Sequence, residues 1–106
     1  VNRFGFSLHA EFDIDELTRY LQGLPLIPAS RIGREIQQAI ATIASAPLRA
    51  PVDEELSHLA NYKIHRLVCG DYLLFYHSGE PFPMILGVLH GKRDTDTIMR
   101  QRLGED

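Results

Sequence analysis

Apolar positions in this chain fall into two patterns, short continuous runs and helical stripes. Tyr72-Leu-Leu-Phe-Tyr-His77 and Met84-Ile-Leu-Gly-Val-Leu-His90 are apolar at nearly every position and rich in aromatic and β-branched residues. Such runs are too short for helices and predict paired strands, here facing each other across Ser78-Gly-Glu-Pro-Phe-Pro83. Lys63-Ile-His-Arg-Leu-Val68 predicts a further strand, turned tightly into Tyr72 by Cys69-Gly-Asp71. Near the start, residues 3–8 alternate weakly and predict a first strand with Phe4, Phe6 and Leu8 on one face.

The stripes predict helices. Asp13 as a cap, with Glu16 three residues on, opens a helix carrying Leu17, Tyr20, Leu21 and Leu24, which Gly23, Pro25 and Pro28 close. A clearer stripe of Ile32, Ile36, Ile40, Ile43 and Ala44 follows Ser30, a good N-cap, and stops at Pro47. That stripe suits packing on the sheet; a dimer seam is the alternative use. Between Pro47 and Tyr62, two prolines, the acids Asp53-Glu-Glu55 and only Leu56 and Leu59 as anchors predict a surface connection holding about one helical turn. Residues 94–102 are charged and predict a frayed helix or tail, with Ile98, Met99 and Leu103 its only apolar contacts.

The resulting order predicts an α+β fold, a two-helix hairpin packed on one face of a mostly antiparallel sheet of about four strands, in a single domain over residues 1–106. One surface is left over. Strands apolar on both faces need cover on both, and two helices cover one. The second face, with Tyr72, Leu74, Tyr76, Met84 and Leu86 as candidate docking residues, calls for the chain's own tail or a partner.

Composition narrows the partner. With 44% hydrophobic and 24% charged residues the chain is of ordinary globular make-up. No apolar run approaches the roughly 20 residues that span a bilayer. The start lacks the basic and apolar segments of a signal peptide, and a lone Cys69 allows no internal disulfide, so the expected compartment is the cytoplasm. Net charge is −3 with a pI near 5.9, against the basic excess by which proteins grip phosphates. A local basic patch at Lys92, Arg93, Arg100 and Arg102 stays open, but a protein partner fits the charge better than direct, sequence-specific nucleic-acid binding.

Candidate chemistry gathers where the last strand ends, at His90-Gly-Lys-Arg-Asp94. A strand end presents side chains rigidly, which makes His90, Lys92 and Arg93 candidate target contacts. The simpler roles are a loop hydrogen bond for His90 and pairing of Arg93 with Asp94 or Asp96. Lys63 and His65, two apart, share a side of their strand and form either a site or a solvated edge. His58, His65, His77 and His90 lack metal-ligand spacing, so neither metal nor cofactor is expected. Cys69 reads as a small packed residue, and Tyr72, Phe75 and Tyr76 as core or interface aromatics.

Three segments carry a family resemblance: the helix Ile36–Ala46 leading to Pro47, Arg66-Leu-Val-Cys-Gly-Asp-Tyr-Leu-Leu-Phe-Tyr76, and Ile85-Leu-Gly-Val-Leu-His-Gly-Lys-Arg-Asp94. In that order and spacing the chain resembles the RelE/ParE superfamily of toxins from bacterial type II toxin–antitoxin modules, from about Ile32 to Arg93. The resemblance implies a growth-arresting toxin neutralised by a cognate antitoxin, as a homodimer or a hetero-oligomer with it. RelE-like members cleave mRNA on the ribosome without metal, using basic side chains and a C-terminal tyrosine or histidine. ParE-like members poison DNA gyrase by binding it. Against the nuclease pattern, Lys63 and Arg93 match and His65 stands where a second lysine is usual. Leu73 or Leu74 replaces the expected arginine, and Met99 falls where the proton-transferring residue belongs. The gyrase-binding branch is the closer match and the RelE-type endonuclease the alternative. The first helical region, with the Leu24-Pro-Leu-Ile-Pro28 connection, does not match the ParE-like members.

Overall fold

The computed structural model describes residues 3–104. Its elements run β1 (Gly5–Phe6), α1 (Leu8–Gln22), α2 (Leu26–Ser45), α3 (Glu54–Ala60), β2 (Ile64–Cys69), β3 (Tyr72–His77), β4 (Met84–His90) and α4 (Thr95–Leu103). The sheet order is β1-β4-β3-β2, with β1 parallel to β4 and the other pairs antiparallel. The expected α+β architecture is what forms, with two helices more than the hairpin. Gly70, at φ +58°, makes the turn that joins β2 to β3, a conformation glycine adopts without a Cβ clash.

A bulge sets which side chains face which layer. Phe75 lies opposite Gly87 and Tyr76 opposite Ile85, so Leu86 is the extra residue on β4. Ile85 and Val88 therefore both reach the front layer, with Leu74 and Tyr76 from β3, under Leu17 of α1 and Ile36, Ala39 and Ile43 of α2. The stripe on α2 is thus spent on the sheet.

Helix starts differ from the expectation. Ser7, not Asp13, caps α1, accepting the Ala10 N–H at 3.1 Å, so the helix begins earlier and the first strand shrinks to two residues. The second helix starts at Leu26, ahead of Ser30, because first-turn N–H groups have no intrahelical acceptor and Pro28 forfeits nothing there.

The second face of the sheet is closed by the chain itself. Asp53 caps α3 through the Leu56 N–H at 3.0 Å, and Asp94 caps α4 through the Thr97 N–H at 3.3 Å. These helices bury Leu56, Ile64, Phe75, Leu89 and Met99 in one cluster, with Leu73 and Leu86 packed against it. Three apolar side chains on a charged segment suffice because Met99 joins the back cluster and Ile98 and Leu103 pack against it. The expected exposed docking face is corrected accordingly. Leu74 and Tyr76 are 0% and 1% exposed in the front core, and Leu86 packs in the back cluster. Tyr72 is half-buried against the front cluster, and Met84 lies half-buried beside Gly5.

Asp13 does work that no local pattern suggests. Beyond β1, which pairs only with Met84 and Ile85, the outer edge of β4 is open. There the Asp13 carboxylate of α1 accepts the Val88 N–H at 2.9 Å and both guanidinium nitrogens of Arg102 from α4, at 2.7 and 2.8 Å. Arg102 also donates to the Leu86 carbonyl at 3.2 Å. The pair thus supplies the acceptor and donor a neighbouring strand would have supplied, and ties the front layer to the back one around the sheet edge. Gly87 makes room for it: a Cβ there would stand 2.8 Å from Met99 Sδ and 3.2 Å from Arg102 Nη1. Gly87→Val is expected to destabilise by about 1–3 kcal/mol by overpacking; a denaturant midpoint equal to wild type would show that α4 gives way freely.

Candidate functional site

The strand-end cluster forms where β4 runs out. Gly91 N–H donates to the Asp71 carbonyl at 2.7 Å and Arg93 N–H to the His90 carbonyl at 3.0 Å, fixing a turn against the β2–β3 hairpin. His90 Nδ1 accepts the Lys92 N–H at 3.1 Å, and its ring stands edge-on to Tyr72, 5.1 Å between centroids. The imidazole therefore organises the loop while its Nε2 remains available. Arg93 and Lys92 are exposed, and among the described residues neither has an ion-pair partner. The acids expected to pair with Arg93 are used elsewhere: Asp94 caps α4, and Asp96 takes Arg100 at 2.7 Å.

Two recesses flank His90. On the front side, Glu16 and Tyr20 of α1, with Tyr72 and Arg93, line a pocket of about 340 Å³. On the back side, Arg66, Val68, Leu73 and Lys92 line one of about 370 Å³. His90, Lys92 and Arg93 are thus brought together around one strand end, as a rim between two concavities.

The nuclease candidates are not brought together. Lys63 precedes β2, at the sheet end where Ile64 pairs with His77 and His77 with Met84. Arg93 follows His90 at the opposite end. Six residue steps along β4, from Met84 to His90, separate the ends, about 20 Å at strand rise. His65 is 2% exposed, its Nδ1 at 2.9 Å from the Ala50 carbonyl and its Nε2 at 2.9 Å from Ser78 Oγ. The ring stacks on Tyr76, 4.9 Å between centroids, and the Tyr76 hydroxyl donates to the Pro47 carbonyl at 2.6 Å. Both ring nitrogens hold loops in place, so this histidine is structural. Met99 is buried in the back cluster. Nor does the basic patch survive folding: Arg100 pairs with Asp96 and Glu55, and Arg102 with Asp13. The i,i+4 spacing of Asp96 and Arg100 is visible in the sequence, but nothing in it signals Arg102–Asp13 or Arg100–Glu55, whose partners lie far apart along the chain.

The remaining chemistry is packing. Cys69 is half-buried and donates its S–H to the Glu35 carbonyl at 3.1 Å; burial, and then the Glu35 charge, push its thiol above the ordinary value of 9.0. Burial likewise raises the Tyr72 and Tyr76 phenols above 10.0, with Tyr20 and Asp71 adding to the shift at Tyr72. Groups whose folded pKa is raised bind their proton more tightly when folded. Their contribution is complete below the unfolded values and is lost as pH climbs through the folded ones. Stability is therefore expected to fall above about pH 9–10, which a series of melts from pH 7 to 11 checks; Tyr76→Phe should flatten that decline. Among the described residues no three His, Cys, Asp or Glu side chains converge to hold a metal, and no helix is long and apolar enough to cross a membrane.

No curated protein matches the chain. Residues 5–95, from β1 to the first residue of α4, match the family described as the ParE toxin of the type II toxin–antitoxin system, parDE. That span takes in the whole sheet, the helical hairpin and the His90–Arg93 rim, and membership implies a cognate antitoxin as partner. The chain belongs to the ParE toxin family, the ParE branch of the RelE/ParE superfamily of type II toxins.

Proposed function

We propose that this toxin arrests bacterial growth in the cytoplasm by binding and poisoning DNA gyrase, with His90, Lys92 and Arg93 as target contacts, and without cleaving RNA. One observation carries the reading: the side chains that match a ribonuclease pattern lie at opposite ends of the sheet or inside the core, while a rim with two unpaired cations stands exposed at the end of β4. General acid–base chemistry needs its groups within hydrogen-bond reach of one substrate, and about 20 Å is too far. A protein target suits a chain of net charge −3 better than ribosomal RNA does.

The test is a supercoiling assay with purified gyrase and toxin freed from its antitoxin. Inhibition at micromolar toxin is expected, weakened about tenfold by Arg93→Ala, the loss of one charged contact at an exposed rim. No inhibition, with mRNA cut at ribosomal A sites on induction, would transfer the protein to the nuclease reading. Unchanged inhibition by Arg93→Ala would remove the rim from the target contact.

A further inference from the structure

The turn between α1 and α2 exposes what the rest of the fold buries. Leu26 and Ile27 are 80% and 82% exposed, the barest of the large apolar side chains among the described residues. Pro25 precedes them as the N-cap of α2, and Pro28 follows inside its first turn. Two fixed φ angles stiffen the tip and hold both side chains outward. One exposed leucine needs no explanation, but two branched aliphatics side by side on a rigid protrusion form a patch.

The charge around the tip is of one sign. Between Glu16 and Glu35 the chain carries Arg19, Arg31 and Arg34 and no acid, in a molecule of net charge −3. Ile27, Arg31 and Arg34 fall on one face of α2 at helical spacing, and all three are exposed. Asp15 and Glu16 stand one turn before Arg19, yet among the described residues none of the three arginines has an ion-pair partner. Glu35, one turn beyond Arg31, is directed over the β2–β3 turn, its Oε1 3.1 Å from where a Gly70 Cβ would stand. The tip is thus an apolar pair inside a collar of unneutralised cations.

The patch is continuous with the β4 rim. Tyr20, in the last turn of α1 and 54% exposed, lines the front recess together with Tyr72, His90 and Arg93. Glu16 faces Arg93 in that recess, and its other acid, Asp13, is already held by Arg102. We infer that the hairpin tip is the apolar anchor of the target contact, and that the target presents an apolar groove edged with acidic side chains. This anchor deepens the proposed function and rests on its reading of a toxin that acts by binding a protein. Three polar side chains at a strand end do not make a tight complex alone. Specific interfaces bury about 800 Å² on each partner and are anchored by apolar or aromatic side chains, with charges at the periphery. Anchors that are already stiff lose little freedom on binding. A bilayer is held by a whole amphipathic face, whereas here Arg31 and Arg34 follow Ile27 directly and leave two aliphatic side chains to insert. A second copy would bring the same cations instead of acids.

Leu26→Ser combined with Ile27→Ser in the full-length toxin tests it. Neither side chain packs in the core, so the melting temperature and the affinity for the antitoxin of its own parDE-type module are expected to stay as in wild type. Inhibition in the supercoiling assay is expected to weaken about tenfold or more, and growth arrest on induction at equal expression to weaken with it. Arg31→Glu is expected to weaken both about tenfold, and Arg31→Lys far less. Growth arrest separates the two claims. A wild type that arrests growth without inhibiting gyrase sinks the gyrase reading, and loss of toxicity in the variants then still supports the anchor. Full toxicity and full gyrase inhibition in the double variant overturn the anchor and leave the gyrase reading intact. Antitoxin affinity lost in step with toxicity, a wild-type dimer that the double variant dissolves, or phosphatidylglycerol vesicles bound by the wild type alone would each overturn it too. A wild type that neither arrests growth nor inhibits gyrase overturns both.

Discussion

Arg102→Ala is expected to lower the melting temperature of the free toxin by roughly 12–24 °C. The substitution strands the Asp13 carboxylate, which is 2% exposed and, among the described residues, otherwise held only by the Val88 N–H. Removing one partner of a buried pair costs about 3–5 kcal/mol, most of it the uncompensated charge left behind. Arg102 itself keeps 14% of its side chain in solvent, which places the loss at the lower end, about 3 kcal/mol. In a domain of about 100 residues each kcal/mol moves the melting point by about 4–8 °C. Pairing the change with Asp13→Asn removes the stranded charge while leaving an amide oxygen for the Val88 N–H, so the double variant should recover much of the loss. A single variant that melts within about 3 °C of wild type would mean the pair is solvated and holds nothing.

Deleting residues 95–106 is expected to be more damaging still. It removes Met99 from the back cluster and uncovers Leu56, Phe75 and Leu89 together. It also strands Asp13 in the same step. An antiparallel sheet with both faces apolar is not stable with one face bare, so the truncated chain should lose its cooperative transition and bind a hydrophobic dye. A cooperative melt close to that of the intact chain would show that α3 alone covers the sheet. The expectation differs from that for a dangling tail, whose removal changes little.

The contrast between α2 and α4 shows what was legible beforehand. α2 announces itself through isoleucines at helical spacing, and the β3 and β4 strands through unbroken apolar runs, because both patterns reflect a whole surface being buried. α4 buries only Met99 fully, with Ile98 and Leu103 packed alongside, among residues that are otherwise charged. Its charges looked like solvent-facing ones. Arg102 is in fact neutralised by Asp13 of α1, a pairing that no local window contains, and Arg100 by its i,i+4 neighbour Asp96 and by the distant Glu55. Asp13 misled for a related reason: with Glu16 three residues on it imitates a capping box, whereas Ser7 holds the real cap. Family-level motifs were legible because each is a continuous stretch of chain: the end of α2, the β2–β3 hairpin, and β4 with the turn that follows it. The candidate site was legible only in part. His90, Lys92 and Arg93 are consecutive or nearly so, and the turn that gathers them follows from Gly91. Lys63 lies just before β2 and His65 within it, but their distance from Arg93 depends on strand direction and register.

Lys92 borders both the β4 rim and the back recess. A rim presented rigidly at the end of β4 needs a toxin whose sheet is closed without a partner.

Residue-resolved hydrogen exchange on the free toxin tests that requirement most directly. A sheet closed on both faces by its own chain predicts that the amides of Phe75, Leu89 and Met99 exchange only through global unfolding, at one common free energy. If instead Met99 and its neighbours in α4 exchange rapidly while β3 and β4 stay protected, the back of the sheet is not sealed in the free toxin and the account is wrong at its base.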